Sequence, residues 1–438
     1  MQIRGSRRTM STASRLLAII RPFTRKGWGH WLRFALLLGA AGYSGHLLST
    51  SAWLTQFRYT IYHRQLMMRD DSQLYPKRTA LVLLNDDDYW GNTFQSRTPL
   101  KRGALAELVD KLEDAGVSTV ALDVDLRSPR PQEPGFEFGD YAAEDAQLFA
   151  AIGRMCKAGR HVVLASSVQF GDDGYEEMPS IYTDSLKQLP CVKTGYIQLP
   201  FDMRRMPGSL ELANGAYLDS MSLAVTGIAD PTAHDQAAGK TSQGFRFSEY
   251  LTEAAFSARN GRQFIFSGTQ LKTMDPSVLR NQLADKLVFV GAKWHLNAYG
   301  TGPLVDVHNS PGGVEPGVML HANYVEAMLD RTGTFTPISD SVAELLEVGL
   351  ALILAMVGVL EIHSAWKWAA FAIGILLSIL FTYSLLQNLG LFLDFLVPML
   401  MIIVHAITEE VMMAWHELQH LKRNAAHKSE LEAAGGQK

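Results

Sequence analysis

Five aspartates follow two short apolar runs of this sequence, and they are its most promising chemical groups. They are Asp86, Asp87 and Asp88, just after the first run, and Asp123 and Asp125, at the end of the second. In an open parallel sheet, ligands bind beyond the carboxyl ends of the strands. Two neighbouring strand ends would bring these carboxylates together, in a site suited to a hard cation or a cationic ligand. The alternative is that they cap the helices and turns that follow, as Asp often does.

A basic side chain stands close to a third apolar run. Lys293 lies just past Gly291, where the run at 286–291 (KLVFVG) ends, and could meet an anionic group. The glycines further along form no phosphate-binding fingerprint, neither G-x-x-x-x-G-K-[ST] nor a strand-linked G-x-G-x-x-G. No separate nucleophile or base accompanies the aspartates, so we expect neither a catalytic residue nor a cofactor. The predicted ligand-binding residues are Asp86, Asp87, Asp123, Asp125 and Lys293.

Two histidines suggest a metal site at first. His308 and His321 lie near Asp306 and Glu315, and these residue types bind metals in many proteins. His321, however, shares its helical face with valine and methionine side chains, which favours a core histidine whose hydrogen bonds are satisfied. We therefore expect no metal here.

The elements that position these residues follow from the hydrophobic periodicity. Strands are predicted at 79–84, 117–124, 161–166 and 286–291, and helices after the Thr98-Pro99 pair, at 143–157 and at 316–330. Strand, helix, strand at these lengths implies parallel pairing with right-handed crossovers. The predicted class is therefore α/β, with a partly parallel sheet built from β-α-β units. Residues 292–315 are predicted as a long glycine-rich loop, and the order of elements within 168–285 stays open.

Four further segments are long and apolar enough to cross a hydrocarbon core as transmembrane α-helices. They are residues 34–54, 343–362, 367–387 and 391–412. Residues 1–33 carry eight Arg or Lys and no acidic residue, and basic segments stay in the cytoplasm. An even number of spans then predicts an extracytoplasmic domain at 55–340 and a cytoplasmic helical tail at 413–438. A cleaved signal peptide is the alternative for the first segment, but its basic lead is too long.

Composition narrows the function classes. Of 438 residues, 47% are hydrophobic and 19% charged, with a net charge of −4. That is too apolar for a disordered chain, and the charge balance excludes a globally basic nucleic-acid binder. The two cysteines, Cys156 and Cys191, both fall in the predicted extracytoplasmic domain, where one disulfide is possible. Two separate buried thiols would be equally ordinary.

Four pieces of the chain resemble a known family. They read LVLLNDDDYW, TPLKRGALAELVDKLEDAGVSTVALDVDL, KLVFVGAKW and GVEPGVMLHANYVEAML. With one span before the domain and three after it, they look like the second type of CHASE domain, an extracellular sensory module associated with bacterial cyclases and histidine kinases. One departure is that the loop NAYGTGPLVDVHN lacks the acidic residue and Thr-Pro pair usual in that family. The tail is too short for a kinase or cyclase domain.

The resemblance implies a sensory protein of the bacterial inner membrane, not an enzyme. Its exterior domain would bind an extracytoplasmic ligand or protein, and its spans, in contact with lipid, would signal to a separate effector. We expect a homo-oligomer, because Met412, Trp415, Leu418 and Leu421 give the tail an apolar stripe that a second copy or a partner helix could cover. The alternatives are a tail lying on the membrane surface, a structural subunit of a membrane assembly and, less favoured, an extracytoplasmic enzyme.

Overall fold

The computed structural model describes most of the region between the predicted first and second spans. The described residues are 76–126, 141–178, 188–200, 203–238, 247–248, 263–329, 334–337, 364–389, 391–392 and 417–424, with single positions between 56 and 64, at 186, between 341 and 345 and between 407 and 415. The chain divides into two compact units, of which one comprises 56–337 and 390–392. That unit carries the predicted site.

Nine helices and fifteen strands have defined bounds among the described residues. The helices are α1 (Asp86–Tyr89), α2 (Arg102–Asp114), α3 (Tyr141–Lys157), α4 (Met221–Ala229), α5 (Pro231–Ala238), α6 (Gly268–Thr273), α7 (Pro276–Leu283), α8 (Gly317–Leu329) and α9 (Ser364–Leu389). The strands are β1 (Thr79–Leu84), β2 (Thr119–Asp123), β3 (His161–Ser166), β4 (Val168–Gly171), β5 (Gly174–Glu177), β6 (Val192–Tyr196), β7 (Ser209–Glu211), β8 (Tyr217–Asp219), β9 (Phe247–Ser248), β10 (Ile265–Phe266), β11 (Leu287–Ala292), β12 (Val307–Ser310), β13 (Gly313–Pro316), β14 (Thr334–Pro337) and β15 (Leu391–Phe392).

Six strands form one parallel sheet in the order β10-β1-β11-β2-β3-β6. The predicted α/β class is confirmed, and this sheet is parallel throughout. The predicted strands at 79–84, 161–166 and 286–291 match β1, β3 and β11 within one residue. The position of β11 in the sheet differs from the prediction. We expected β1 and β2 to be neighbours, but β11 lies between them.

The sheet is covered on both faces because its strands are apolar on both faces. On β1, Ala80, Val82 and Leu84 pack with α2, α3, α6 and α7, whereas Leu81 and Leu83 pack with α4 and α8. This period-two division repeats on β11, β2 and β3 and gives two separate cores. Continuous apolar runs are typical of parallel strands buried on both sides.

The first turn of α8 packs closely onto β11. A Cβ added to Gly291 would lie 2.5 Å from Cβ of Val318, so only glycine allows this approach. The predicted helix at 316–330 is confirmed as α8. The long loop predicted at 292–315 is wrong in its second half, where β12 and β13 pair as an antiparallel hairpin.

Two helix details also differ from expectation. The helix after the first strand begins at Arg102 and not at Pro99, because the Thr98 hydroxyl contacts the Tyr89 hydroxyl at 2.8 Å and caps no helix. The spacing of apolar residues at 143–157 predicts Phe149 on the core-facing side of that helix, but in α3 its side chain is 39% exposed and Ala151 is buried. A glycine directly after the periodic apolar residues of this helix predicts a helix end at Gly116, and this is confirmed: α2 ends at Asp114, and Gly116 adopts a φ of 84°, which glycine tolerates best.

A disulfide joins Cys156, near the end of α3, to Cys191, just before β6. Their Cα atoms lie 5.5 Å apart, a usual separation for such a bond. Of the two possibilities that the sequence left open, the structure therefore has the disulfide. It ties the helix that follows β2 to the edge strand β6.

The predicted spans fall largely outside the described residues. This holds for 34–54, for 346–362 and for 393–406. The segment 367–387 lies within α9, and Leu391–Phe392, at the start of the segment predicted at 391–412, pairs in parallel with β14. Across the described part of the chain, no helix is long and apolar enough to cross a membrane.

Candidate functional site

The predicted aspartates do not converge on one point. Asp86, Asp87 and Asp88 follow β1, whereas Asp123 and Asp125 lie at the end of β2, with β11 in between. Two strand spacings, about 10 Å, therefore separate the two groups. The expectation of neighbouring strand ends is wrong, because a strand from far along the chain is inserted between them.

The carboxyl edge contains a topological switch point, the place where doubly wound sheets usually bind their ligands. The chain leaves β1 and β2 toward α2 and α3, which cover one face, but it leaves β11 toward α8 on the opposite face. Adjacent strands whose connections diverge in this way leave an opening beyond their carboxyl ends. The segment 293–306, here called the β11 loop, lies at this opening.

Asp86 is tied to the β11 loop. Its carboxylate accepts a hydrogen bond from the His295 backbone N–H (2.7 Å) and lies 2.7 Å from the imidazole Nδ1 of the same residue. Burial alone would raise the pKa of Asp86, but these two hydrogen bonds and the imidazole charge outweigh burial and lower that pKa. Asp86 is therefore an ionised tether.

Aromatic contacts reinforce this tether. The rings of Tyr89 and Trp294 stack with centroids 4.4 Å apart and an interplanar angle of 4°. The Trp90 indole N–H donates to the His295 carbonyl oxygen at 3.1 Å. Helix α1 and the start of the β11 loop are thus joined by the contact between the Asp86 carboxylate and the His295 imidazole, a ring stack and a hydrogen bond.

Asp88 has a structural role. It is fully buried, and its carboxylate accepts hydrogen bonds from the backbone N–H groups of Gly268 and Thr269 and from the Thr269 hydroxyl. The same side chain closes a capping box with Asn85 at the start of α1. For Asp88 the capping interpretation is therefore correct.

Three other predicted residues lie at the same edge of the sheet. Asp87 and Asp125 are exposed, the first on α1 and the second just beyond β2. Lys293 is half-buried at the start of the β11 loop, and its backbone N–H donates to the Leu84 carbonyl oxygen at 2.8 Å, which continues the β1–β11 pairing. These groups border the opening, and Tyr299, which is 89% exposed, stands further along the loop.

Asp123 ends β2 on the face that α8 covers, in register with Gly291. Burial raises the pKa of Asp123 well above its usual value, and the negative charge of Asp306 raises it further. Asp306 closes the β11 loop: its carbonyl oxygen accepts the Gly317 N–H at the start of α8, and its carboxylate lies 3.0 Å from the His308 imidazole.

His321 is a core histidine, as expected. Only 1% exposed, it places Nε2 3.3 Å from the Ile197 carbonyl oxygen and Nδ1 2.9 Å from the Ser222 hydroxyl. A carbonyl only accepts, so Nε2 carries the proton and Nδ1 accepts from Ser222. Burial lowers the pKa of His321 to about 4, so the ring is neutral. No set of three or more His, Cys, Asp or Glu arranged for a metal occurs within the described ranges.

The sequence did not single out His295, although it is the partner of Asp86. Its sequence signal is weak: a lone histidine three residues beyond a buried strand, next to a tryptophan. Only the pairing of β1 with β11 brings the two residues together.

Comparison with known proteins identifies the family. Residues 16–360 match the model of the CHASE2 domain, and this span contains the whole sheet described above. No curated protein and no solved structure matches the chain. CHASE2 is a family of sensory domains. Since the match covers more than half of the sequence, the chain belongs to the CHASE2 domain family.

Proposed function

We propose that this protein is a membrane-anchored sensor whose α/β domain recognises an extracytoplasmic ligand or protein at the carboxyl edge of the sheet. The observation that carries the proposal is the path from this edge along α8. The helix begins beside Asp306, at the end of the β11 loop, and near its other end Glu326 binds the first residues of β1. A ligand that shifts the β11 loop would therefore move α8, which runs from the carboxyl edge of the sheet to its amino-terminal edge.

The recognition residues proposed are Asp86, Asp87, Asp123, Asp125 and Lys293. Asp87 and Asp125 offer exposed carboxylates, and Asp123 offers a carboxyl group whose raised pKa suits it to donate a hydrogen bond. Because Asp86 is already paired with His295, a ligand that competes for either side chain would release the β11 loop. This geometry suits a polar ligand with hydrogen-bonding and cationic groups.

Two features support an extracytoplasmic location for the sheet. Structural disulfides persist mainly in oxidising compartments, and Cys156 is bonded to Cys191. In addition, β15 pairs with β14. In the proposed topology, the residues just before the second span and those between the third and fourth spans lie on the same side of the membrane, as such pairing requires.

Lipid contact and signalling to a separate effector belong to the same proposal. Helix α9 exposes apolar side chains on several of its faces, among them Trp368, Ile373, Ile379 and Phe381. Such a distribution suits a hydrocarbon environment better than water. In the tail, Trp415, Leu418 and Leu421 are exposed at helical spacing, and we propose that a second copy or an effector helix covers them.

Labelling with a membrane-impermeant maleimide tests the topology in spheroplasts of the full-length protein. The variants are Tyr299→Cys, on the β11 loop, and His420→Cys, on the exposed tail. We expect the first to react in intact spheroplasts and the second only after permeabilisation. The disulfide-bonded cysteines of the parent protein provide the unreactive control. Labelling of His420→Cys in intact spheroplasts would contradict the proposed arrangement.

Native mass spectrometry of protein purified from its own membranes tests recognition at the carboxyl edge. We expect the wild-type protein to retain a molecule that the double variant Asp123→Ala, Asp125→Ala loses. The matched control is Asp172→Ala, Asp173→Ala, which removes two carboxylates from the turn of the β4–β5 hairpin. This hairpin follows β3 and contains none of the proposed recognition residues. Equal retention by both double variants would argue against a site at the ends of β1, β11 and β2.

A further inference from the structure

A second cavity opens at the opposite, amino-terminal edge of the sheet. Its volume is about 750 Å³, within the range of small-molecule sites. Four strands begin at this cavity (β1, β2, β3 and β11), and four helices end there (α2, α3, α4 and α7). The lining therefore consists of the ends of these elements and the turns beside them. The carboxyl-edge site does not reach it.

The cavity is strongly basic. Its lining contains four basic residues, Lys77, Arg78, Arg160 and Lys286. Among the described residues of the lining, one is acidic, Asp285. The four cations exceed the one anion by three charges, in a chain whose net charge is −4. A concave site lined by one sign of charge concentrates ligands of the opposite sign.

The helix ends do not cancel this positive charge. Carboxyl ends of helices carry partial negative charge on their unpaired carbonyl oxygens. At the end of α2, however, Arg160 donates to the carbonyl oxygens of Glu113 and Val117, and Arg280 donates to that of Asp114. These carbonyl oxygens at the end of α2 are therefore paired. Arg78 and Lys77, both exposed at the cavity, add to the positive field.

Two buried polar atoms of the lining lack a hydrogen-bond partner among the described residues. They are Thr119 Oγ1 and His161 Nδ1, and Thr119 is only 1% exposed. The two residues are opposite each other in the β2–β3 register. A buried polar group without a partner destabilises the fold, and such groups in native proteins usually have a reason. Both can donate to an oxygen of a bound anion.

We propose that this cavity binds a phosphate group. Arg78 and Arg160 provide planar guanidinium groups, which match phosphate oxygens geometrically, and Lys77 provides a point charge. Thr119 and His161 provide the hydrogen bonds of the cavity floor. The site goes beyond the proposed sensing edge and would give the domain a second input.

Two sources can present this group. One is a soluble phosphomonoester. The other is the headgroup of an anionic phospholipid, because the chain enters β1 and leaves α8 at this edge and membrane spans are predicted beyond both points. The chemistry of recognition is the same, so the experiment has one arm for each source.

The experiment uses the full-length protein in phosphatidylcholine nanodiscs. The first arm is a calorimetric titration with glycerol 3-phosphate. The second is native mass spectrometry of phosphatidylglycerol retained from nanodiscs that contain equal amounts of phosphatidylcholine and phosphatidylglycerol. The test variant is Lys77→Gln, Arg78→Gln, and the matched control is Lys193→Gln, an exposed lysine on β6 outside the cavity. A third variant, Thr119→Val, removes the hydroxyl that is proposed to donate a hydrogen bond to the phosphate at the cavity floor.

We expect the wild-type protein to bind in at least one arm and the test variant to bind about tenfold or more weakly, because charge-assisted hydrogen bonds contribute about 1.5–3 kcal/mol. Lys193→Gln should bind as the wild type does, and Thr119→Val should weaken binding severalfold. Binding in the first arm identifies the soluble source, and binding in the second alone identifies the lipid. Should the double variant melt at a lower temperature than the wild type, Arg78→Gln alone replaces it. The proposal is overturned if neither arm shows binding that these substitutions weaken.

Discussion

At the scale of single residues, neighbours in the sequence differ sharply in their environment. Asp86 is paired with His295, Asp87 is exposed, and Asp88 is buried against α6. A run of three identical carboxylates therefore contains a tether, a surface group and a cap. The role of each aspartate depends on the direction in which its side chain leaves this single helical turn. Substitutions at the three positions should therefore have different effects.

Asp86→Asn should loosen the β11 loop, because it removes the charge that attracts the His295 imidazole and weakens the hydrogen bond from the backbone N–H. Hydrogen exchange in residues 293–306 should speed up about tenfold, as expected for a loss of about 1.4 kcal/mol. Asp87→Asn, one residue further on and exposed, is the matched control and should leave exchange unchanged. Equal exchange in both variants would mean that the ion pair does not hold the loop.

His321 should make the stability of the domain depend on pH. Its pKa is about 4 in the folded protein and near 6.5 when unfolded, so between these values the unfolded chain binds a proton that the folded chain does not. The stabilisation is complete above pH 6.5 and is lost as the pH falls toward 4, by about 2 kcal/mol between pH 7 and pH 5.

Urea unfolding followed by tryptophan fluorescence at several pH values measures this dependence. The slope of the unfolding free energy against pH reports how many more protons the unfolded chain binds than the folded one. His321→Gln should lower this difference by about one proton, whereas His308→Gln, on the β12–β13 hairpin, should leave most of the slope in place. A slope that survives in His321→Gln would assign the titration to another group.

At the scale of elements, α8 is the connection between the two edges of the sheet. All thirteen of its residues are buried. Near its C-terminal end, Glu326 accepts hydrogen bonds from the backbone N–H groups of Arg78 and Thr79 and from the Thr79 hydroxyl. One carboxylate oxygen thus fixes where β1 begins relative to α8, and β1 in turn places Asp86 at the other edge.

Glu326→Ala should destabilise the domain by about 3 kcal/mol, because it leaves buried N–H donors without an acceptor. Glu326→Gln retains an acceptor oxygen at the same place and should cost only about 1 kcal/mol. Denaturant unfolding of both variants measures the difference. If the two lose the same amount, packing of the side chain and not its hydrogen bonding would be responsible.

The disulfide should stabilise the half of the sheet that contains β3 and β6. Cys156 and Cys191 are 35 residues apart, and closing a loop of that length contributes about 3–4 kcal/mol. We expect Cys156→Ser, Cys191→Ser to melt at a lower temperature than the wild type, and a reductant to lower the melting temperature of the wild type only. Free thiols found in the purified native protein would contradict the bond.

At the scale of the whole molecule, we propose that the helical tail passes the state of the sensor to another chain. The described part of the tail is helical at 417–424 and exposes Leu418 and Leu421. Together with Trp415, these residues form an apolar stripe whose burial against a second helix would be favourable. The output prediction therefore concerns this stripe.

Leu418→Cys should form covalent dimers, or adducts with a partner protein, on cross-linking in native membranes. His420→Cys, displaced by about 200° around the helix, is the control and should react much less. The readout is a shift in gel mobility with identification of the adduct. If neither variant gives a protein adduct and truncation after Met413 leaves assembly intact, the tail rests on the lipid surface and does not carry the output.

The class of the domain and most of its strands could be predicted from the amino-acid sequence. Runs such as 79–84 and 161–166 are apolar on both faces, which only a strand buried between two layers satisfies, and Gly116 marks the end of α2 because its φ is positive. Helix α8 was predictable for a similar reason, since its periodic apolar residues begin after a proline. These features depend on local propensity and burial, which a single segment expresses.

The way in which those segments pair and pack could not be predicted from the sequence. The position of β11 between β1 and β2 depends on a pairing across about two hundred residues, which no local pattern encodes. That insertion separates Asp86 from Asp123, brings His295 to Asp86 and places Val318 on Gly291. The basic cavity likewise arises from loops that are distant in sequence and meet at one edge. Residue types set what chemistry is possible, and long-range strand order sets which residues share a site.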